Sequence, residues 1–186
     1  PDSSFAGLLQ NRLDSVNILN SALIGYAAAD YEVLAEKLVP SSKFKMHQVL
    51  LFWTLNDVYQ RIPGQDYPGS SFSWLKEVKA FFQQNSKFYH WLKGVLFDRE
   101  KTYFKYDQAF YNNNSEQLKS AIENLKTVAK YLHSHDIVLN IFLMPYEYQL
   151  RRKNRAEAMI SPQKILHHKL KETSIQFNQI VDCSLY

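Results

Sequence analysis

Two nearly continuous apolar runs of strand length stand out along the chain. They cover 48–55 (QVLLFWTL) and 137–144 (IVLNIFLM), and Pro145 ends the second run. Both are rich in β-branched and aromatic residues, a pattern typical of parallel strands that are covered on both faces. We therefore predict a buried strand from each run, together with shorter strands at 16–20 and 180–183.

Helical patterns lie between these runs. The clearest one follows Asn114, the predicted N-cap, and its apolar residues recur at steps of three and four. These residues form one stripe: Leu118, Ala121, Ile122, Leu125, Val128, Ala129 and Leu132. Shorter helices are predicted at 5–13, at 30–38 and from Ser161-Pro162 onward. The alternation of helices and strands predicts an α/β fold, a three-layer, flavodoxin-like, mostly parallel sheet flanked by helices.

The span 58–113 interrupts this alternation. It begins with turn residues and then becomes dense in aromatic residues between Phe72 and Tyr111. One interpretation is additional core, and the other is a cap that shapes an acyl or sugar pocket. We interpret the span as an aromatic-rich helical insertion within one domain, 1–186, which we expect to be incomplete at both ends.

Composition and charge exclude several classes of protein. With 186 residues and 46% hydrophobic residues, the chain can bury a core, so global disorder is excluded. The net charge is +4, but the basic residues are scattered apart from one cluster at 151–155, and we predict no nucleic-acid partner. The single Cys183 excludes an intrachain disulfide and a cysteine-based zinc site, and we predict no metal and no cofactor. No apolar run reaches the roughly 20 residues that a membrane span needs.

The candidate chemistry follows the predicted strands. Ligands of open parallel sheets bind at the carboxyl ends of the strands. Gly25 follows the first predicted strand, Asn56-Asp57 follows the second, and Tyr146 follows the third. A glycine lets the backbone approach a ligand closely, and an asparagine amide can stabilise an oxyanion. Ordinary turn chemistry is the alternative explanation for Asn-Asp after a strand.

Taken together, 16–20, Gly25-Tyr26 and 49–57 resemble the central blocks of SGNH (GDSL-type) hydrolases, and 144–151 is similar to the fourth-strand exit of some bacterial members. The resemblance implies an esterase or acyl hydrolase acting on O-acyl esters of a small molecule or polysaccharide, including exopolysaccharide. It implies Gly25 and Asn56 as oxyanion donors, with Tyr146 and Arg151 lining the substrate cleft. Similar polysaccharide-modifying enzymes often work outside the cytoplasm, in the periplasm or secreted.

Two motifs of that family are missing. No Gly-Asp-Ser nucleophile motif follows a strand, because Ser3 has no strand before it, and Asp182 has Leu185 three residues later instead of histidine. We therefore expect an interior segment of a larger hydrolase that holds the oxyanion donors and is inactive by itself. The family's missing first strand would leave 16–20 and 48–55 either paired directly or separated by a gap.

Two other functions stay open. The same fold can bind a glycan or a partner protein without catalysis, through the aromatic residues of 72–111. A flavodoxin-like nucleotide or regulatory module also fits the alternation, but Gly25 stands alone and forms no glycine-rich phosphate loop. The oligomeric state does not follow from the sequence.

Overall fold

The computed structural model describes residues 4–13, 15–23, 25–41, 45–59, 98–151, 161–173 and 177–183. Within these ranges the chain forms six α-helices, one 3-10 turn and three strands. In chain order they are α1 (Phe5–Gln10), α2 (Ala28–Ser41), β1 (Gln48–Trp53), the 3-10 turn (Leu55–Val58), α3 (Arg99–Gln108), α4 (Glu116–Ser134), β2 (Val138–Leu143), α5 (Glu147–Leu150), α6 (Ser161–Lys171) and β3 (Gln179–Asp182).

The three described strands form one parallel sheet in the order β1-β2-β3. Leu50 of β1 lies opposite Asn140 of β2, which lies opposite Gln179 of β3. The sheet confirms the α/β class, the two long predicted strands, and the strand predicted near the end of the chain. Because all three strands are parallel, their carboxyl ends meet at one edge of the sheet.

The strand predicted at 16–20 is wrong. This segment is irregular, and its apolar residues are exposed, Val16 by 48% and Leu19 by 61%. The Gln10 side chain forms hydrogen bonds with the backbone of this segment. Gln10 Nε2 donates to the Val16 carbonyl, and Gln10 Oε1 accepts from the Ile18 amide. Among the described strands only β2 pairs with β1, so 16–20 does not pair with 48–55.

The long helix α4 supplies one wall of the core. Every residue of the predicted apolar stripe is buried, and α4 packs against α2 and β2. Its N-cap is Ser115 and not the predicted Asn114, because Ser115 Oγ accepts a hydrogen bond from the Leu118 amide. The Asn114 amide instead donates to the side chain of Asn112, which forms a turn before the helix.

The other predicted helices are present with shifted ends. The helix predicted at 30–38 extends over Ala28–Ser41, and α6 begins at Ser161 with Pro162 buried in its first turn. The helix predicted at 5–13 ends at Gln10, and none of its residues is buried. None of the described helices combines the length and the apolar character that a bilayer span requires.

Only the two ends of the predicted insertion 58–113 are described, because residues 60–97 lie outside the described ranges. Its carboxyl-terminal part forms α3, and Phe104 and Tyr111 are buried in the same core cluster as Trp53. The Tyr111 hydroxyl accepts from Trp53 Nε1 at 2.9 Å and donates to the Leu55 carbonyl at 2.9 Å. This end of the insertion therefore fastens the carboxyl end of β1.

The Tyr111 hydroxyl can be tested by the change Tyr111→Phe. The change leaves a buried indole N–H and a buried carbonyl without their partner, so the free energy of unfolding should fall by about 1–3 kcal/mol. Urea unfolding measures the loss. Tyr131→Phe is the matched control, because the half-buried Tyr131 hydroxyl makes no described hydrogen bond, and it should stay within about 0.5 kcal/mol. Equal losses in both variants would contradict the role of Tyr111.

Candidate functional site

A network of polar side chains begins where β1 ends. Thr54 follows the strand directly, and both its backbone amide and its hydroxyl donate to the Asp57 carboxyl group, each at 2.9 Å. In return the Asp57 amide donates to the Thr54 carbonyl at 3.0 Å. These reciprocal bonds close the 3-10 turn and fix the direction of the side chains at 56 and 57.

The carboxamide oxygen of Asn56 lies within hydrogen-bond distance of two hydroxyl groups. Asn56 Oδ1 is 2.7 Å from the Thr54 hydroxyl and 3.3 Å from the Tyr146 hydroxyl, and each hydroxyl has a single hydrogen that a carboxyl oxygen can also accept. The structure thus brings together two of the predicted site residues, which lie 90 positions apart. Asn56 is half-buried, and its Nδ2 makes no hydrogen bond within the described part of the chain. An amide donor is therefore available beside the end of the sheet.

Asp57 is a buried carboxyl group at the end of β1. Besides Thr54, it accepts a hydrogen bond from the Tyr31 hydroxyl of α2 at 2.8 Å. Burial raises the pKa of Asp57 above its ordinary value, and the nearby Asp107 adds to the rise, whereas the hydrogen bonds from Thr54 and Tyr31 oppose it. Burial and the carboxyl of Asp57 also raise the pKa of Tyr31, so this phenol keeps its proton.

A second carboxyl group, Asp107 of α3, is fully buried behind Tyr146. The Tyr59 hydroxyl donates to Asp107 Oδ1 at 2.7 Å, and the Tyr146 hydroxyl donates to Asp107 Oδ2. Tyr146 carries one hydroxyl hydrogen and has two acceptors in reach, Asp107 and Asn56. The position of the Asn56 carboxamide therefore depends on α3 as well as on its own turn. The sequence analysis missed Asp107, because it lies in a strongly charged helix that looks solvated.

The backbone of Tyr146 is fixed by a pair of buried amides. The Tyr146 amide donates to Gln149 Oε1 at 2.8 Å, and Gln149 and Gln163 exchange two side-chain hydrogen bonds of 3.0 Å each. Both glutamines are buried. The short helix α5 is therefore tied to α6, and this tie sets where the Tyr146 ring can point.

Gly25 lies on the loop that leads into α2. It is exposed with φ of +94°, and no atom beyond its neighbours lies within 4 Å of the position that a Cβ would occupy. Its N–H makes no hydrogen bond in the described ranges. Further along the chain, the Tyr31 hydroxyl of α2 donates a hydrogen bond to Asp57 of the 3-10 turn. No described contact joins Gly25 to Asn56, and their convergence on one ligand atom stays a prediction.

Arg151 is engaged in ion pairs at the end of α5. Its guanidinium donates two hydrogen bonds to Glu147 and one to Asp98, the N-cap of α3, and it lies 5.6 Å from the centroid of the Tyr148 ring. The bonds from Arg151 lower the pKa of Glu147. Residues 152–155 of the basic cluster lie outside the described residues. The predicted contact of Arg151 with a substrate stays a prediction.

A cleft of about 470 Å³ opens next to Asp57. Its described lining comes from α2, the 3-10 turn, α3 and α4 and from residues that directly flank them: Ala27, Ala28, Ala29, Asp57, Tyr59, Tyr106, Phe110, Gln117, Ser120 and Asn124. Its volume lies within the range of small-ligand pockets, about 300–1,000 Å³. Asn56 and Tyr146 are not among the lining residues, but Asp57 and Tyr59 connect the cleft to their network.

The histidines and acidic residues do not form a metal centre within the described residues, where no group of three such side chains could hold an ion. His133 and His135 are exposed at the end of α4, and His135 Nδ1 lies 2.9 Å from the Tyr131 carbonyl. His167 of α6 is half-buried, and burial lowers its pKa. None of these three imidazoles makes a described contact with the network around Asn56.

The chain has no significant match to any family model, curated protein or solved structure. The resemblance to SGNH hydrolases therefore depends on the short sequence blocks alone.

The buried Asp57 should make stability depend on pH. Because its folded-state pKa lies above the unfolded value of about 3.9, the folded chain binds more protons between the two values, and the free energy of unfolding falls as pH rises through this window. Asp57→Asn removes this titration. Urea unfolding of both proteins from about pH 4 to 8 should show the wild type losing stability relative to the variant as pH rises. A difference that stays constant would show that the folded-state pKa of Asp57 is not raised, and a difference that grows in favour of the wild type would show that it is lowered.

Proposed function

We propose that this chain supplies the oxyanion-binding part of an SGNH-type hydrolase that acts on O-acyl esters. The observation that supports this proposal most strongly is the hydrogen bonding of Asn56. Its oxygen lies within hydrogen-bond distance of the Thr54 and Tyr146 hydroxyls, while its Nδ2 makes no described hydrogen bond, at the edge of a parallel sheet where ligands bind.

Attack on an ester carbonyl places negative charge on the carbonyl oxygen. A donor that is already oriented stabilises this charge without a reorganisation cost, and removal of one such donor costs about 2.7–4 kcal/mol in the transition state. In the proposed site Asn56 Nδ2 is one donor, and the N–H of Gly25 is the second. The positive φ of Gly25 and the open space around it suit a backbone amide that a ligand approaches closely.

Tyr146 acts in this proposal as a positioning residue for Asn56. Its hydroxyl contacts both the Asn56 carboxamide and the buried Asp107, and its backbone is fixed through Gln149. The reaction also needs a serine nucleophile and a histidine base, which the motifs of this sequence do not supply. The three-layer, flavodoxin-like sheet belongs to the same proposal.

The second candidate function is binding without turnover. The cleft beside Asp57 favours it, because its lining includes aromatic rings together with polar side chains that have no described partner. A protein of this kind would hold a glycan or a partner and would lack hydrolase activity altogether. Activity of the natural full-length protein separates the two candidates.

The change Asn56→Ala tests the proposed oxyanion donor. The natural full-length protein should hydrolyse p-nitrophenyl acetate, and the variant should lose a factor of about 10²–10³ in kcat with a smaller effect on KM, because the donor acts mainly in the transition state. Asn11→Ala is the matched control, since Asn11 is exposed at the end of α1 and its side chain makes no described contact. It should keep the wild-type rate.

Two results would contradict the proposal. An unchanged kcat in Asn56→Ala would remove Asn56 from the mechanism. If the wild-type protein hydrolyses none of a series of acetyl esters, then binding without turnover is the better description.

A further inference from the structure

The cleft next to Asp57 has one aromatic wall. Tyr59, Tyr106 and Phe110 pack against one another with ring centroids 4.8–6.0 Å apart. All three line the cleft. The Tyr106 ring stands nearly perpendicular to the rings of Tyr59 and Phe110, at 88° and 81°, so this wall combines ring faces with ring edges. A single ring face in such a wall can accept the apolar face of a ligand.

A second wall of the cleft, formed by α4, is polar. Gln117, Ser120 and Asn124 lie three and four positions apart on α4, so they share one side of this helix. The side chains of Ser120 and Asn124 make no hydrogen bond in the described part of the chain, although both line the cleft. A hydroxyl group and a carboxamide can each donate and accept, and they therefore match a ligand that carries several hydroxyl groups.

The first turn of α2 and Asp57 complete the cleft. Ala27, Ala28 and Ala29 contribute only methyl groups and leave the volume open. Asp57 is the only acidic residue among the described lining residues, and no lysine or arginine is among them. An anionic ligand would thus meet a carboxyl group without a described cation to compensate, whereas a neutral polar ligand meets no such penalty.

We propose that this cleft binds a neutral sugar ring, with its C–H face on the aromatic wall and its hydroxyl groups on Ser120, Asn124 and Asp57. Both walls are required for this ligand class. A purely apolar ligand would leave the polar side of α4 unpaired, and a small polar ion would not use the rings.

The cleft adjoins the residues that the proposed reaction uses. Asp57 follows Asn56 in the same 3-10 turn, and Tyr59 of the aromatic wall shares the carboxyl group of Asp107 with Tyr146. If the cleft holds the sugar of the substrate, the attached acyl group has to reach the Asn56 amide, which lies outside the described lining. This consequence rests on the proposed function, but the binding of the sugar does not.

Ligand-observed NMR with the natural full-length protein tests the inference. The probes are the methyl glycosides of glucose, galactose and mannose, with N-acetylglucosamine as a further neutral sugar. Methyl glucuronide provides the anionic comparison, and glucosamine the cationic one. At least one neutral sugar should bind in a titration, and methyl glucuronide should bind at least about tenfold more weakly.

Two variants localise the binding. Asn124→Ala removes one hydrogen-bonding group and should weaken binding about fivefold. Ala29→Leu fills the cleft from an exposed helical position and should abolish binding. The controls are Asn11→Ala and Ala22→Leu, which change exposed residues that do not line the cleft, and both should bind as the wild type does.

The result overturns the inference if no neutral sugar binds, if methyl glucuronide or glucosamine binds more tightly than every neutral sugar, or if neither cleft variant weakens binding. Failure of the two proposals can be told apart. Sugar binding without ester hydrolysis would overturn the hydrolase proposal alone. Hydrolysis that depends on Asn56, without any sugar binding, would overturn the cleft inference alone.

Discussion

The burial of Asp57 and Asp107 governs how the elements around the end of β1 come together. A buried carboxyl group is costly unless it is hydrogen-bonded, and here phenol hydroxyls supply much of the bonding. The Tyr31 hydroxyl donates to Asp57, and the Tyr59 and Tyr146 hydroxyls donate to Asp107. Because these tyrosines come from different elements, α2 must dock before Asp57 gains its phenol partner, and the segment after the 3-10 turn and the start of α5 must dock before Asp107 gains its two.

The apolar core makes that docking possible. The stripe of α4 packs against α2 and the sheet, and Tyr111 joins the indole of Trp53 to the Leu55 carbonyl. These contacts fix the end of β1 independently of the network around Asn56. This network therefore lies at an edge of the sheet whose position the core determines, as the proposed oxyanion donor requires.

The sequence predicts those parts of the fold in which the spacing of apolar residues shows directly which side chains are buried. Both long strands and the stripe of α4 follow from local periodicity, and the meeting of Asn56 with Tyr146 follows from the rule that parallel strands end at one edge. The segment 16–20 has a strand-like composition, but a strand also needs a free neighbouring edge with which to pair. In the structure the Gln10 side chain instead forms hydrogen bonds with the backbone of this segment. Asp107 could not be predicted, because its partners lie 48 and 39 residues away.

The paired side-chain amides of Gln149 and Gln163 make the anchoring of the Tyr146 backbone independent of pH. Amides do not change charge with pH, so the anchor that holds the Tyr146 backbone is the same in acidic and neutral solution. The Asp57 carboxyl group of the 3-10 turn does change charge with pH, and burial raises its pKa. Uptake of a proton by Asp57 changes which hydrogen bonds it accepts from Thr54 and Tyr31, while the Gln149–Gln163 pair that holds the Tyr146 backbone stays the same.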